Sequence, residues 1–475
     1  MRGDTDKVTN QLGNGLKSRQ VTMISIGGVI GAGLFVGSSN AIAAAGPAVL
    51  VAYAFAAMIV VLVMQMLGEM ATARPDTGSF SSYADQAIGR WAGFSIGWLY
   101  WWFYVLVIAI EAIVAGNILG DWLGIPHMVA AFGITAVLIA CNSLSVGSFG
   151  ALEYWLSLFK VVSIVGFIIL GVLAIMGLLP GSSTSGMSNL YANGGFAPNG
   201  NVAIVAALLT AMFSFQGSEV VTIAAAESKD PKANIKKAIR AVVWRLGLFY
   251  LGSMFVVVCL IPWNAPSLAQ GSYQAVLSAM NIPWAPEIMG IVVLVAVTSC
   301  LNSAIYTASR MAYSLARRGD APKAVSRTTA QGVPLLAVGL TSLAALVALA
   351  FNYMLPKQVF QFLLATSGAL ALLMYLVIAI TQLCMRRKLV ALGKQLEVRM
   401  WLFPYLTLLT IALILVVFGI MAAFPGQRAE LLSTLGLTAV LVIIGAWLQK
   451  SQPELSAQRS AMAMPEEAAA PRAFA

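Results

Sequence analysis

Two interruptions inside apolar runs hold the residues of this chain best suited to gripping a small charged molecule. The first is Gly28-Val29-Ile30-Gly31-Ala32-Gly33, and the second is Phe213-Ser214-Phe215-Gln216-Gly217-Ser218-Glu219. A helix in hydrocarbon keeps its backbone hydrogen bonds because no water is present to replace them. An unwound turn at that depth is therefore tolerated only where it lines a cavity. At the first interruption a half-helix starting near Gly33 would turn its N–H groups toward an anion. Its dipole adds roughly 0.3–2 kcal/mol for a negative charge, and glycines let a carboxylate approach the backbone without a Cβ in the way. Val29, Ile30, Gly31, Ala32 and Gly33 are the candidate residues here. The same glycines also fit a small-residue packing face between helices.

The second interruption adds a carboxylate, Glu219, beside Gly217 and well inside an apolar run. A charge there costs on the order of 3 kcal/mol on insertion scales, so it must be paired or useful. The preceding half-helix would end near Phe215, leaving the carbonyls of Phe213 and Gln216 to accept from an ammonium group. Phe213 or Phe215 could close over a ligand or simply pack. A carboxylate held by one helix start and an ammonium held by one helix end together make an amino-acid site.

The elements that must position these residues are membrane helices. Of the 475 residues, 60% are hydrophobic and 10% charged, and the mean hydropathy is +0.86, a composition outside the range of ordinary water-soluble domains. Apolar runs of roughly 20 residues, each able to cross about 30 Å of hydrocarbon, fall near 21–45, 48–71, 93–118, 128–146, 155–179, 201–226, 240–262, 285–312, 334–352, 358–384, 401–424 and 430–449. The weakest boundary lies between 146 and 155. The two interruptions stand about five runs apart. Five is odd, so the second half enters the membrane inverted, the arrangement in which broken helices meet near the midplane. The expected architecture is an all-α polytopic membrane protein of about twelve spans, a 5+5 inverted repeat with spans 1 and 6 discontinuous. Residues 1–20 form an N-terminal tail, 21–449 the membrane domain, and 450–475 an Ala-, Glu- and Pro-containing tail expected to be disordered.

Lys and Arg residues alternate between loops in a way that sets orientation. With the N-terminus cytoplasmic, the inner segments receive Lys17, Arg19, Arg74, Arg90, Lys229 to Arg240, Arg317, Arg318 and Arg386 to Lys388, while the outer loops receive little besides Lys357 and Arg428. Topology thus explains the net charge of +10 without a nucleic-acid partner. The first run is too long for a cleaved leader and contains the break, so it is read as retained. Cys141, Cys259, Cys300 and Cys384 lie in apolar segments without metal-ligand or redox spacing. The single histidine, His127, sits beside Pro126 in a short turn, so neither a metal site nor a cofactor or catalytic constellation is expected. A channel would need a ring of polar pore residues that the spans do not supply.

The run Gly28 to Gly37, the loop Pro75-Asp76-Thr77-Gly78-Ser79-Phe80, the aromatic run Gly97-Trp98-Leu99-Tyr100-Trp101-Trp102 and Phe215-Gln216-Gly217-Ser218-Glu219 resemble the amino acid–polyamine–organocation (APC) superfamily across nearly the whole chain. Within it, Tyr100 to Ile108, Val297 to Ser303 and Ser314 to Pro322 are similar to the bacterial 4-aminobutyrate (GABA) permeases. The resemblance implies two helices beyond the 5+5 core and GABA import across the bacterial inner membrane, driven by protons. In such carriers Lys160 would stand near the first break in place of sodium and exchange a proton between states that differ in hydration. Ser299 and Ser303 would be its hydrogen-bond partners. Snorkelling of Lys160 to the interface is the other reading. Glu219 and Glu111 join the proton-coupling candidates, Glu111 facing the cavity or pairing with Lys160. Glu69 and Glu153 are read as structural, paired with basic residues of neighbouring loops. A permease for proline, aromatic or basic amino acids, and a non-transporting sensor of the same fold, are the alternatives.

Overall fold

A computed structural model describes residues 18–27, 30–144, 146–179, 186–228, 230–354, 358–393, 395–454, 456 and 459, which form helices and their connecting turns with no β-strand among them. Gly28 and Val29 of the first interruption lie outside the described residues. The first crossing consists of α1 (Ser18–Gly27), a π-helical turn Gly33–Gly37 and α2 (Ser38–Ala45); α3 (Val49–Ala73) follows. Gly46 takes φ +63°, a left-handed conformation that favours glycine, and Pro47 opens the short turn before α3. After the short α4 (Ser79–Ala87) come α5 (Arg90–Leu123), α6 (His127–Leu144) and α7 (Val146–Ile175).

The second repeat begins with α8 (Val202–Phe215) and α9 (Val220–Ala226), the two halves of the sixth crossing. The seventh combines α10 (Pro231–Arg245), a π-helical stretch Leu246–Gly252 and α11 (Ser253–Leu260). Its start is written in the sequence. Asp230 caps the Ala233 N–H and Pro231 occupies the first turn, where its missing N–H costs nothing. A second short helix, α12 (Ser272–Ala279), precedes α13 (Ala285–Arg317), α14 (Leu335–Met354), α15 (Gln358–Ala391), α16 (Tyr405–Ala423) and α17 (Pro425–Ser451). Ten helical runs among the described residues are long and apolar enough to cross a membrane. One of these, Gly33–Ala73, contains the turn at Gly46 and so two crossings, and the shorter apolar Leu335–Phe351 adds another. Ten plus one plus one gives the twelve spans of the sequence reading. The uncertain boundary resolves as α6 reaching Leu144 and α7 starting at Val146, nine residues before the expected 155.

The long helix α5 is the axis of the bundle, packed against α4, α6, α13, α14, α15 and α17. Tyr100, Ile108 and Ala112 on it are wholly buried. Outer faces stay apolar and exposed, as at Trp155, Trp244, Ile443 and Trp447, which suits contact with lipid.

The inverted repeat is visible in the two short helices. Ser79, at the start of α4, hydrogen-bonds Thr222 of α9 at 2.7 Å, and Ser272, at the start of α12, hydrogen-bonds Ser38 of α2 at 2.6 Å. Each repeat thus ties the short helix after its second crossing to the broken crossing of the other repeat, α4 to the second half of span 6 and α12 to the second half of span 1.

Loops that the charge pattern assigns to one side gather at one end. Glu69 accepts from Gln382 and Arg386, each at 2.8 Å, and from the Met400 N–H at 2.6 Å, in keeping with its structural reading. Lys232 pairs with Glu397 at 3.4 Å, and Lys236 pairs with it too. Arg90 reaches Asp320 at 3.1 Å and Gln452 at 3.0 Å, and Arg459 binds Asp85 at 3.1 Å and Asp320 at 3.0 Å. The tail after 450, expected to be disordered, therefore places Gln452 and Arg459 against this end; much of the remainder lies outside the described residues.

Candidate functional site

The two breaks touch. A Cβ added to Gly33 would stand 2.7 Å from the Ser214 Cα and 3.1 Å from the Phe213 ring, so only glycine lets the first break lie against α8. The second break leaves the helix at Gln216, whose ψ is 145°. Gly217 follows at φ +101°, a conformation side chains rarely adopt.

Each break holds a glutamate. The Glu111 carboxylate, from α5, accepts from the Ala32 N–H at 3.1 and 3.0 Å through its two oxygens. It stands where the sequence placed a ligand's carboxylate, with Gly31 against it: a Cβ there would meet Glu111 Oε1 at 2.4 Å and Cys300 Cβ at 2.7 Å. At the second break, Glu219 accepts from the Gly217 N–H at 3.1 and 3.0 Å and from the hydroxyls of Tyr100 at 2.9 Å and Tyr104 at 3.2 Å. The expected carbonyls are partly engaged, the Phe213 carbonyl accepting from the Gln216 N–H at 3.2 Å. Arg245, buried at the end of α10, donates to the Ser218 hydroxyl and brings a cation to this break.

Gly33, Phe103, Tyr104, Val107, Glu111, Phe213, Ser214, Gln216, Gly217, Val220, Cys300 and Ser303 surround a cavity between the breaks. Its volume is about 20 Å³, room for about one water and too little for any amino acid. The site is closed, and the breaks must separate to admit a ligand. Gln216 turns an amide into this region whose nitrogen and oxygen have no hydrogen-bond partner among the described residues, and the Ser303 hydroxyl is in the same condition. Phe213 lines the cavity. Phe215 does not: it is wholly buried against Tyr53 and Tyr250, at 5.6 and 4.6 Å between ring centres.

Lys160 is wholly buried, so it does not snorkel. Its ammonium donates to the Ile30 carbonyl at 3.2 Å and to the Ser299 hydroxyl at 2.8 Å. Ser303 is one turn further along α13 and lines the cavity instead. Glu153, read from the sequence as paired with a neighbouring loop, is instead buried 4.0 Å from Lys160 on the same helix. The spacing carried that signal, because residues seven apart share one helix face. The same rule aligns Tyr100, Tyr104 and Glu111 on α5, the first two of which the sequence reading took only as part of an aromatic motif. Arg245 and Cys300 had no such signal. Among the described residues no group of His, Cys, Asp or Glu is arranged to hold a metal.

Broken helices meeting at a buried polar site within two inverted repeats define a membrane carrier fold. Solved structures agree on the fold: a mutant of the Eremococcus coleocola manganese transporter superposes with a TM-score of 0.56, covering 97% of each chain at 15% identity. The amino acid permease family model matches residues 20–453, and the chain belongs to that family. It is 56% identical to a gamma-aminobutyric acid permease of Escherichia coli K12 over 91% of this chain and 93% of that one. It is also 54% identical to a probable GABA permease of Pseudomonas aeruginosa over 95% of each. The protein is an amino-acid permease.

Proposed function

We propose that this permease imports GABA together with a proton across the bacterial inner membrane, the basic end of the bundle facing the cytoplasm. The observation that carries the coupling is the Lys160 ammonium bonded to the Ile30 carbonyl of the first break. A charge so placed ties the geometry of the substrate helix to a protonation state. The substrate is taken from the two GABA permease relatives. Its carboxylate would compete with Glu111 for the Ala32 amide, and its ammonium would turn to the second break, where Gln216 offers an unengaged oxygen. Zwitterionic GABA moving with one proton carries one net charge. That supplies about 2.3 kcal/mol per 100 mV plus about 1.4 kcal/mol per pH unit, enough for accumulation of a hundredfold or more.

The test is uptake of labelled GABA into proteoliposomes under an inward proton gradient, with proline, phenylalanine, lysine and β-alanine as competitors. The expected result is accumulation that a protonophore collapses, that GABA analogues compete best, and that Lys160→Ala loses. Competition led by an α-amino acid would reassign the substrate. Accumulation by Lys160→Ala equal to that of the wild type would remove the coupling role, and an absence of flux with every substrate would favour a sensor.

A further inference from the structure

Close to Lys160 lies a buried carboxylate, Glu153, that does not line the cavity. Glu153 is 0% exposed and accepts from Ser157 at 3.1 Å, from Ser299, and from Asn302 at 3.4 Å. Asn302 is itself fixed by the Asn142 amide at 2.8 Å. Ser299 connects the two charges directionally: its oxygen accepts from Lys160 at 2.8 Å while its O–H donates to Glu153 Oε1. Lys160, Ser299 and Glu153 thus form an unbroken chain of hydrogen bonds all pointing one way. Glu153 precedes Lys160 by seven residues, about 10 Å along α7, toward the N-terminal end of that helix, and α1 packs on α7 with its Arg19 over the ring of Tyr154, the residue next to Glu153.

We infer that Glu153 receives the transported proton from Lys160 through the Ser299 hydroxyl and releases it when α1 moves off α7; this rests on the proton coupling proposed above. As a Lys160 N–H bond breaks, that proton bonds to Ser299 Oγ, and the original Ser299 proton moves to Glu153 Oε1. The products are a neutral amine, an unchanged serine and a neutral carboxylic acid, so no charge is left unpaired in the core. The acid then gives its proton to water at the uncovered end of α7, and the amine takes the next proton when the cavity opens to the other side. Besides Lys160, the titratable or charged groups facing this cluster are Glu111 on α5, Cys300 and Tyr306 on α13, and Arg19 on α1, which lies over the neighbouring Tyr154 ring. None of these interrupts the chain from Lys160 to Glu153.

The experiment compares proton-driven accumulation of labelled GABA with counterflow, which exchanges labelled for unlabelled substrate without net proton movement. Glu153→Gln and Ser299→Ala are each expected to lower accumulation at least tenfold, to lower counterflow less than threefold, and to flatten the dependence on internal pH; Glu153→Asp restores part of the accumulation. Accumulation by Glu153→Gln within twofold of wild type overturns the relay, as does a fall in counterflow as deep as the fall in accumulation. Should the Gln variant fail to fold, Ser299→Ala decides, since it keeps both charges and removes only the link. If wild-type accumulation ignores the protonophore, the coupling itself is wrong; coupled wild type with coupled variants sinks the relay alone.

Discussion

At the scale of single residues, the site depends on atoms that are missing. Gly33 is the point where the two breaks meet, and a Cβ added there would stand 2.7 Å from the Ser214 backbone, which cannot swing aside as a side chain could. Gly33→Val is therefore expected to push α8 from the first break and to lower GABA uptake at least a hundredfold, measured as initial rate in proteoliposomes. Uptake at the wild-type rate would return the glycine to a packing role. The motif marked this residue, yet the motif did not say what would fill the space at its neighbour. The amide of Ala32 is taken by Glu111, a residue 79 positions away, because a glutamate desolvated in a bundle must find donors and a broken helix supplies them. Residues on one helix face were legible in advance: Glu153 and Lys160 share a face by their spacing alone. What the spacing withheld was which face looks inward.

At the scale of elements, two hydroxyl pairs related by the repeat, Ser79 with Thr222 and Ser272 with Ser38, join the short helices to the broken crossings in the closed state. All but Thr222 are wholly buried, and Thr222 is 1% exposed. Ser272→Ala would leave the Ser38 hydroxyl buried without its partner, costing the closed state about 1–3 kcal/mol. The end carrying α12 should then open more often, by a factor of roughly five or more. Cys300 lines the cavity and reports this directly. With the other three cysteines replaced, a maleimide that cannot cross the membrane should label it at least fivefold faster in Ser272→Ala when added from the α12 side. An unchanged rate would mean that the hydroxyl pair does not hold that end shut. The short helices themselves were missed by span counting, since neither α4 nor α12 is long or apolar enough to register.

At the scale of the whole molecule, distant segments are tied together at the basic end. Asp320 has no exposed side chain and joins Arg90 to Arg459. Burial pushes the neighbouring Asp85 carboxyl up from its ordinary value, with Arg318 and Arg459 pulling it back. Removing one partner of a buried ion pair typically costs about 3–5 kcal/mol. Asp320→Asn should accordingly lower the thermal unfolding midpoint of the purified permease by several degrees, whereas Lys232→Ala, whose pair with Glu397 is solvent-exposed, should move it little. A midpoint unmoved in Asp320→Asn would show that this network adds nothing to stability. The twelve crossings, their inverted halves and the sites of both breaks were legible in the sequence alone. Each of these follows from local rules of hydrophobic length and glycine content, which act within a segment wherever it ends up. Only the tertiary structure decided that Glu111 caps the first break, that Tyr100 and Tyr104 hold Glu219, and that Ser299 links Lys160 to Glu153. Those pairings depend on which helices become neighbours and at what rotation, and packing sets both across separations that no local pattern spans.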